Sequence, residues 1–136
     1  MLDESFLLPT KQEAVTAVEQ KIEQICEQLN VADRCIGNIL ISVTEAINNA
    51  IVHGNKNDVS KQVSLNCISL KNELIFTVKD EGLGFDFSNL PDPTDPENRE
   101  KLNGRGVFLM KHLADKVSFE ESGRIVKLTF INYAND

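Results

Sequence analysis

Residues 45–55 read Glu45-Ala46-Ile47-Asn48-Asn49-Ala50-Ile51-Val52-His53-Gly54-Asn55, and the pattern changes on either side of them. Upstream, Ile36, Leu40, Val43, Ile47 and Ala50 recur at helical spacing, with Gly54 supplying the stop. Downstream the period becomes two: Val63, Leu65 and Cys67 alternate with polar residues, as do Leu74, Phe76 and Val78, and Lys71-Asn72 sits where a hairpin would turn. A helix followed by two hairpin-linked strands points to an antiparallel or mixed sheet with helices packed on one face.

The flanks extend the same plan. Ser5-Phe6-Leu7-Leu8 before Pro9 reads as a short opening strand. Thr10-Lys11-Gln12-Glu13 has the Thr-x-x-Glu form of a capping box, and Val15, Val18, Ile22, Ile25, Cys26 and Leu29 then mark one face of a helix. The break at Asn30 to Asp33 leads into the second helix. Residues 86–103, with Pro91, Pro93 and Pro96, hold neither a long helix nor a central strand and read as a long loop of the kind that is a functional lid or disordered. A short buried helix is expected from Gly106 to Ala114, and strands at 116–120 and 125–131 around a turn at Glu121-Ser122-Gly123. The expectation is one domain over residues 1–136, an α+β two-layer sandwich.

Composition narrows the function. The 136 residues are 41% hydrophobic and 26% charged, ordinary globular usage. A net charge of -7 without a Lys/Arg block disfavours direct binding of nucleic acid. Acids at Asp3 and Glu4 stand where a secretory signal needs basic residues, and no apolar run reads as a membrane span, so a cytoplasmic protein is expected. Cys26, Cys35 and Cys67 show no metal-ligand spacing and read as reduced core thiols.

Three stretches carry chemistry. At about 100° per residue from Ile36, Glu45 falls near 180° and Asn49 near 220°, one turn apart and opposite the apolar stripe. A carboxylate there can take a proton and a carboxamide oxygen can ligate Mg²⁺ beside phosphates, although a solvated polar face would look the same. Asp80-Glu81-Gly82-Leu83-Gly84-Phe85-Asp86 follows a strand. Its glycines permit positive φ and close approach of a ligand, and Asp80 can accept from an exocyclic amine. Asn103-Gly104-Arg105-Gly106-Val107 opens the last helix, where free backbone N–H groups and the helix dipole suit a phosphate and Arg105 can add a charged contact. Four of the seven glycines, Gly82, Gly84, Gly104 and Gly106, bracket the proline-rich segment like the hinges of a lid. P-loop, Rossmann and protein-kinase signatures are missing, and His53 and His112 have no ligand or triad partners at usable spacing.

In this order the three stretches resemble the N, G1 and G2 boxes of the GHKL ATPases. Within that superfamily they look most like the stand-alone bacterial anti-sigma-factor serine/threonine kinases. The resemblance implies the Bergerat ATP-binding fold, with ATP and Mg²⁺ as cofactors. It implies Glu45 as general base, Asn49 as the Mg²⁺ ligand, and Asp80 as reader of the adenine amino group. Gly82 and Gly84 would form the adenine-side loop, with Gly104, Arg105, Gly106 and Val107 near the phosphates and Thr129 helping to bind adenine. It further implies a homodimer that phosphorylates a STAS-domain anti-anti-sigma protein and also engages a sigma factor. The alternative is an ATP-gated protein-binding module without significant kinase activity.

Overall fold

The computed structural model describes residues 2–82 and 102–135. Strand β1 (Asp3–Pro9) leads into helices α1 (Glu13–Gln28) and α2 (Asp33–Asn49), and α2 runs on through a π-helical turn, Ala50–Gly54. Strands β2 (Gln62–Ser69) and β3 (Glu73–Lys79), helix α3 (Leu102–Leu113) and strands β4 (Lys116–Glu120) and β5 (Ile125–Ile131) complete the order. One five-stranded sheet results, in the order β1-β2-β3-β5-β4. Every neighbouring pair is antiparallel, so none of the parallel pairing that a mixed sheet allows is used.

Period two in the strands fixes which face is covered. Val63, Leu65 and Cys67, then Leu74, Phe76 and Val78, then Val126, Leu128 and Phe130 are all buried and share a core with Val18 and Ile22 of α1, Val43 and Ile47 of α2, and Met110 of α3. The intervening positions form the opposite face, where register aligns Ser5, Asn66, Thr77, Lys127 and Ser118 across the five strands. Apolar burial on one face only gives the expected two layers.

Three local readings are corrected. Thr10 caps no helix: α1 starts at Glu13 after Gln12, without a side-chain cap, and the Thr10 hydroxyl donates to the Lys61 carbonyl at 2.6 Å. Helix α3 begins at Leu102, four residues before Gly106, so Gly104 and Gly106 lie inside helix rather than in a loop ahead of it. The 22 residues Asp33–Gly54 are long and apolar enough to cross a membrane by length and composition, contrary to the reading that no run approaches a span. In this fold the segment is the central helix of its layer, packed against α1, α3 and the sheet. The cysteines are free, and burial pushes the Cys26 thiol up to about 11 and the Cys67 thiol to about 12, as unreactive core positions require.

Candidate functional site

The C-terminal end of α2 places its polar residues between two packing partners. Val43, Ala46 and Ile47 point into the core, while Glu45 and Asn49 lie on the flank that meets α3. A Cβ on Gly106 would stand 2.9 Å from Asn49 Nδ2 and 3.0 Å from Glu45 Oε2. The hydrogen of glycine is what lets the α3 backbone lie against both side chains. Asn49 is only 5% exposed, so the flank opposite the first apolar stripe is no solvated face: α3 covers it. The Asn49 Nδ2 has no hydrogen-bond partner. A buried amide left open in this way is costly and calls for a partner from outside the described side chains.

Beyond Asn49 the helix widens. The Asn55 N–H donates to the Ala50 carbonyl at 2.7 Å and the Asn57 N–H to the Ile51 carbonyl at 2.8 Å, spacings wider than the α-helical one. The widened turn carries Gly54 up to the exit of β3. A Cβ on Gly54 would collide with the Asp80 carboxylate, and one on Gly82 would collide with the Gly54 carbonyl. Gly82 does not use the left-handed region, which among the described glycines only Gly123 does, so close approach is the reason for glycine there.

Asp80 is 3% exposed. Its Oδ1 accepts the Gly82 N–H at 2.8 Å, and its own N–H donates to the Arg124 carbonyl at 3.0 Å. Burial raises the carboxyl pKa from its ordinary value, against the lowering influences of the Gly82 N–H, Arg124 and Lys61. A desolvated carboxylate with unused acceptor capacity is suited to an amine donor of a ligand.

The polar junction around Asn55 goes unremarked in the sequence reading. This fully buried side chain donates from Nδ2 to Thr10 Oγ1 at 3.0 Å and to the Gln62 carbonyl at 3.1 Å, and its Oδ1 accepts the Glu81 N–H at 2.8 Å. Glu81 Oε1 in turn accepts the Gln62 N–H at 2.8 Å. The network ties the end of the central helix to the strand exit that carries Asp80. The only prior signal was an asparagine just after Gly54.

The remaining candidates divide. Gly84 and the proline-rich segment lie outside the described residues, and of Arg105 only its place in the first turns of α3 is described, as for Gly104. Val107 is buried in the core. Thr129 is not brought to Asp80: it alternates with buried Leu128 and Phe130 and pairs with Ile75 and Lys116, on the face opposite the helices. Among the described residues no group of three or more His, Cys, Asp or Glu could hold a metal ion. The open Asn49 Nδ2 is an N–H donor, so the partner it suits is an acceptor oxygen.

This arrangement, with the end of one helix walled on one side by a glycine of α3 and on the other by a buried aspartate, is that of a nucleotide-binding ATPase domain. Residues 8–130 match the histidine kinase-like ATPase domain family, and the chain belongs to that family. Among its relatives are the serine-protein kinases RsbW of Listeria monocytogenes, 26% identical over 92% of this chain and 85% of theirs, and of Bacillus cereus, 27% identical over 90% and 80%. The RsbU and RsbW domains of Rv1364c from Mycobacterium tuberculosis superpose with a TM-score of 0.65 at 14% identity. That match covers 96% of this chain but 32% of the other, and at such identity it speaks for the fold. The GHKL reading and its anti-sigma kinase branch stand on these matches, and an ATPase domain implies ATP as the nucleotide.

Proposed function

We propose that this single domain is a cytoplasmic ATP-dependent protein serine/threonine kinase and anti-sigma regulator, which phosphorylates a STAS-type antagonist protein in a partner switch and works as a homodimer. The observation that carries the reading is the convergence of all three boxes on the end of α2, where Gly106 abuts Glu45 and Asn49 while Gly54 abuts Asp80 and Gly82. The likeness to RsbW kinases supports the protein-kinase branch over other ATPases.

In this reading Asp80 accepts from the adenine 6-amino group, and Gly82 with Gly84 lets the chain pass close to the base. Gly104, Arg105 and Gly106 line the phosphate side at the start of α3, where free N–H groups and the helix dipole favour negative charge. A magnesium ion, when bound, neutralises charge on the phosphates, and the side chain available to hold it is Asn49. Glu45, half-buried beside Asn49, takes the proton from the incoming serine hydroxyl. Val107 and Thr129 have no ligand contact in this scheme, the one because it fills the core and the other because it faces away.

The deciding experiment is transfer from γ-labelled ATP to the STAS-domain proteins of the source organism, with Glu45→Ala alongside. Serine labelling that falls by about 10² to 10⁴ in the variant, with ATP affinity kept, is expected of a general base. Binding without labelling would make the protein an ATP-gated binding module, and equal labelling by both forms would remove Glu45 from the base role.

A further inference from the structure

Arg124 stands across the sheet from Asp80, the two joined through their backbones. It follows the β4–β5 turn, donating its N–H to the Glu121 carbonyl at 3.2 Å and accepting the Asp80 N–H at 3.0 Å. Since Lys79 pairs with Ile125, Asp80 and Arg124 continue that ladder by one step, and the alternation that buries Val126 and Leu128 puts Arg124 on the helix side of the sheet. Its Nε is buried and finds no hydrogen-bond partner. Among the described residues the guanidinium has one long ion pair, NH1 to Glu121 at 4.0 Å, with Glu121 more than half exposed, a contact that contributes little. A buried unpartnered donor of a cation is costly to hold.

We propose that Arg124 is a positioning residue for nucleobase selection: it supplies the countercharge that keeps the buried Asp80 carboxylate an acceptor, and so sets the preference for adenine over guanine. This rests on the reading of Asp80 as the adenine-side acceptor. An ionised carboxylate takes a hydrogen bond from the 6-amino group of adenine and repels the 6-oxo group of guanine, whereas a protonated one can donate to that oxygen. The charged groups bearing on Asp80 are Arg124 from β5 and Lys61 from the turn before β2, with Arg124 the stronger influence. Glu81, the neighbouring acid, directs an oxygen to the Gln62 N–H.

The test measures binding of fluorescent ATP and GTP analogues across mildly acidic to neutral pH, in wild type, Arg124→Met, Arg124→Lys, Lys61→Met and Asp80→Asn. Methionine keeps the apolar stem, and Arg124→Gln serves if it misfolds. In Arg124→Met the acid limb of ATP binding is expected to move to higher pH, and the ATP:GTP preference at mildly acidic pH to fall by on the order of tenfold, the scale of one charge-assisted hydrogen bond. Arg124→Lys is expected to restore both. A profile in Arg124→Met superimposable on wild type, or a larger shift in Lys61→Met, would overturn the assignment. If Asp80→Asn binds ATP like wild type, the underlying reading of Asp80 fails instead, and it does so in a variant that leaves Arg124 in place.

Discussion

Replacing Asp80 with asparagine is expected to move stability and binding in opposite directions. The side chain is 3% exposed and its described hydrogen-bond donor is the Gly82 N–H, which an asparagine oxygen can equally accept. What the substitution removes is the charge. Burial raises the folded-state pKa of this carboxyl above its ordinary 3.8. The folded state then holds the proton more tightly than the unfolded chain, so stability is greatest below the ordinary range and falls as pH climbs through the folded value. The loss therefore grows as pH rises. Asp80→Asn escapes it and should melt above wild type at neutral pH. Binding should suffer, because a charge-assisted hydrogen bond to the adenine amine, about 1.5–3 kcal/mol, is replaced by a carboxamide whose NH₂ can face that amine. ATP affinity should therefore drop about 10- to 150-fold. Thermal melts of both forms from about pH 4 to about pH 8, with titration calorimetry at neutral pH, read both quantities; the gap in Tm should open with rising pH and then level off. A variant that melts below wild type at neutral pH, or binds ATP equally well, would refute the reasoning.

Other substitutions test the packing of the site. Gly106→Ala should leave stability within about 1 kcal/mol, since alanine favours helix by about that much. Its methyl, 2.9 Å from Asn49 Nδ2, should nonetheless displace a side chain that has little room to yield, and transfer assays should record the loss. Gly54→Ala drives a methyl into the Asp80 carboxylate and should cost about 1–3 kcal/mol together with ATP binding; a variant with wild-type urea midpoint and affinity would contradict the close approach. Asn55→Ala leaves the Glu81 N–H without its described acceptor and removes two further hydrogen bonds at a fully buried position, so urea unfolding should report a loss of about 3 kcal/mol.

Periodicity carried most of the fold. Strand 125–131 stands where alternation put it, with one buried face that a single register satisfies, and 116–120 pairs beside it with Val117 and Phe119 half-buried. Capping failed where tertiary structure offered a better partner: Thr10 serves the Lys61 carbonyl and Asn55 instead of its own helix. The start of α3 was legible only to within a turn, since Leu102 to Arg105 include glycine and asparagine, weak helix formers whose helicity local propensity does not announce. Within the site, spacing put Glu45 and Asn49 together, but a helical wheel built on Ile36 could not foresee that α3 would cover them. Nor could it foresee Thr129, whose face follows from parity with Leu128 and Phe130 rather than from its place on the last strand. Arg124 and Asn55 were invisible because their significance comes from contacts across the sheet ladder and the widened turn.

Unsatisfied polarity then tells where a ligand belongs. Three buried side-chain atoms in the described structure lack hydrogen-bond partners: Ser42 Oγ, Asn49 Nδ2 and Arg124 Nε. Ser42 lies on α2 two turns before Asn49, and Arg124 adjoins Asp80, itself desolvated. A core built only for stability would fill such positions with apolar groups, which avoid the desolvation penalty altogether. Here the open amide sits against the glycine of α3, and the residue with the open guanidine nitrogen is bonded through its backbone to the buried aspartate. On the proposed reading a phosphate oxygen would accept from the open amide, and the base amine would donate to the Asp80 carboxylate. On that reading the open amide gains its partner with the nucleotide, and nucleotide binding should raise Tm by more than apolar contact alone provides.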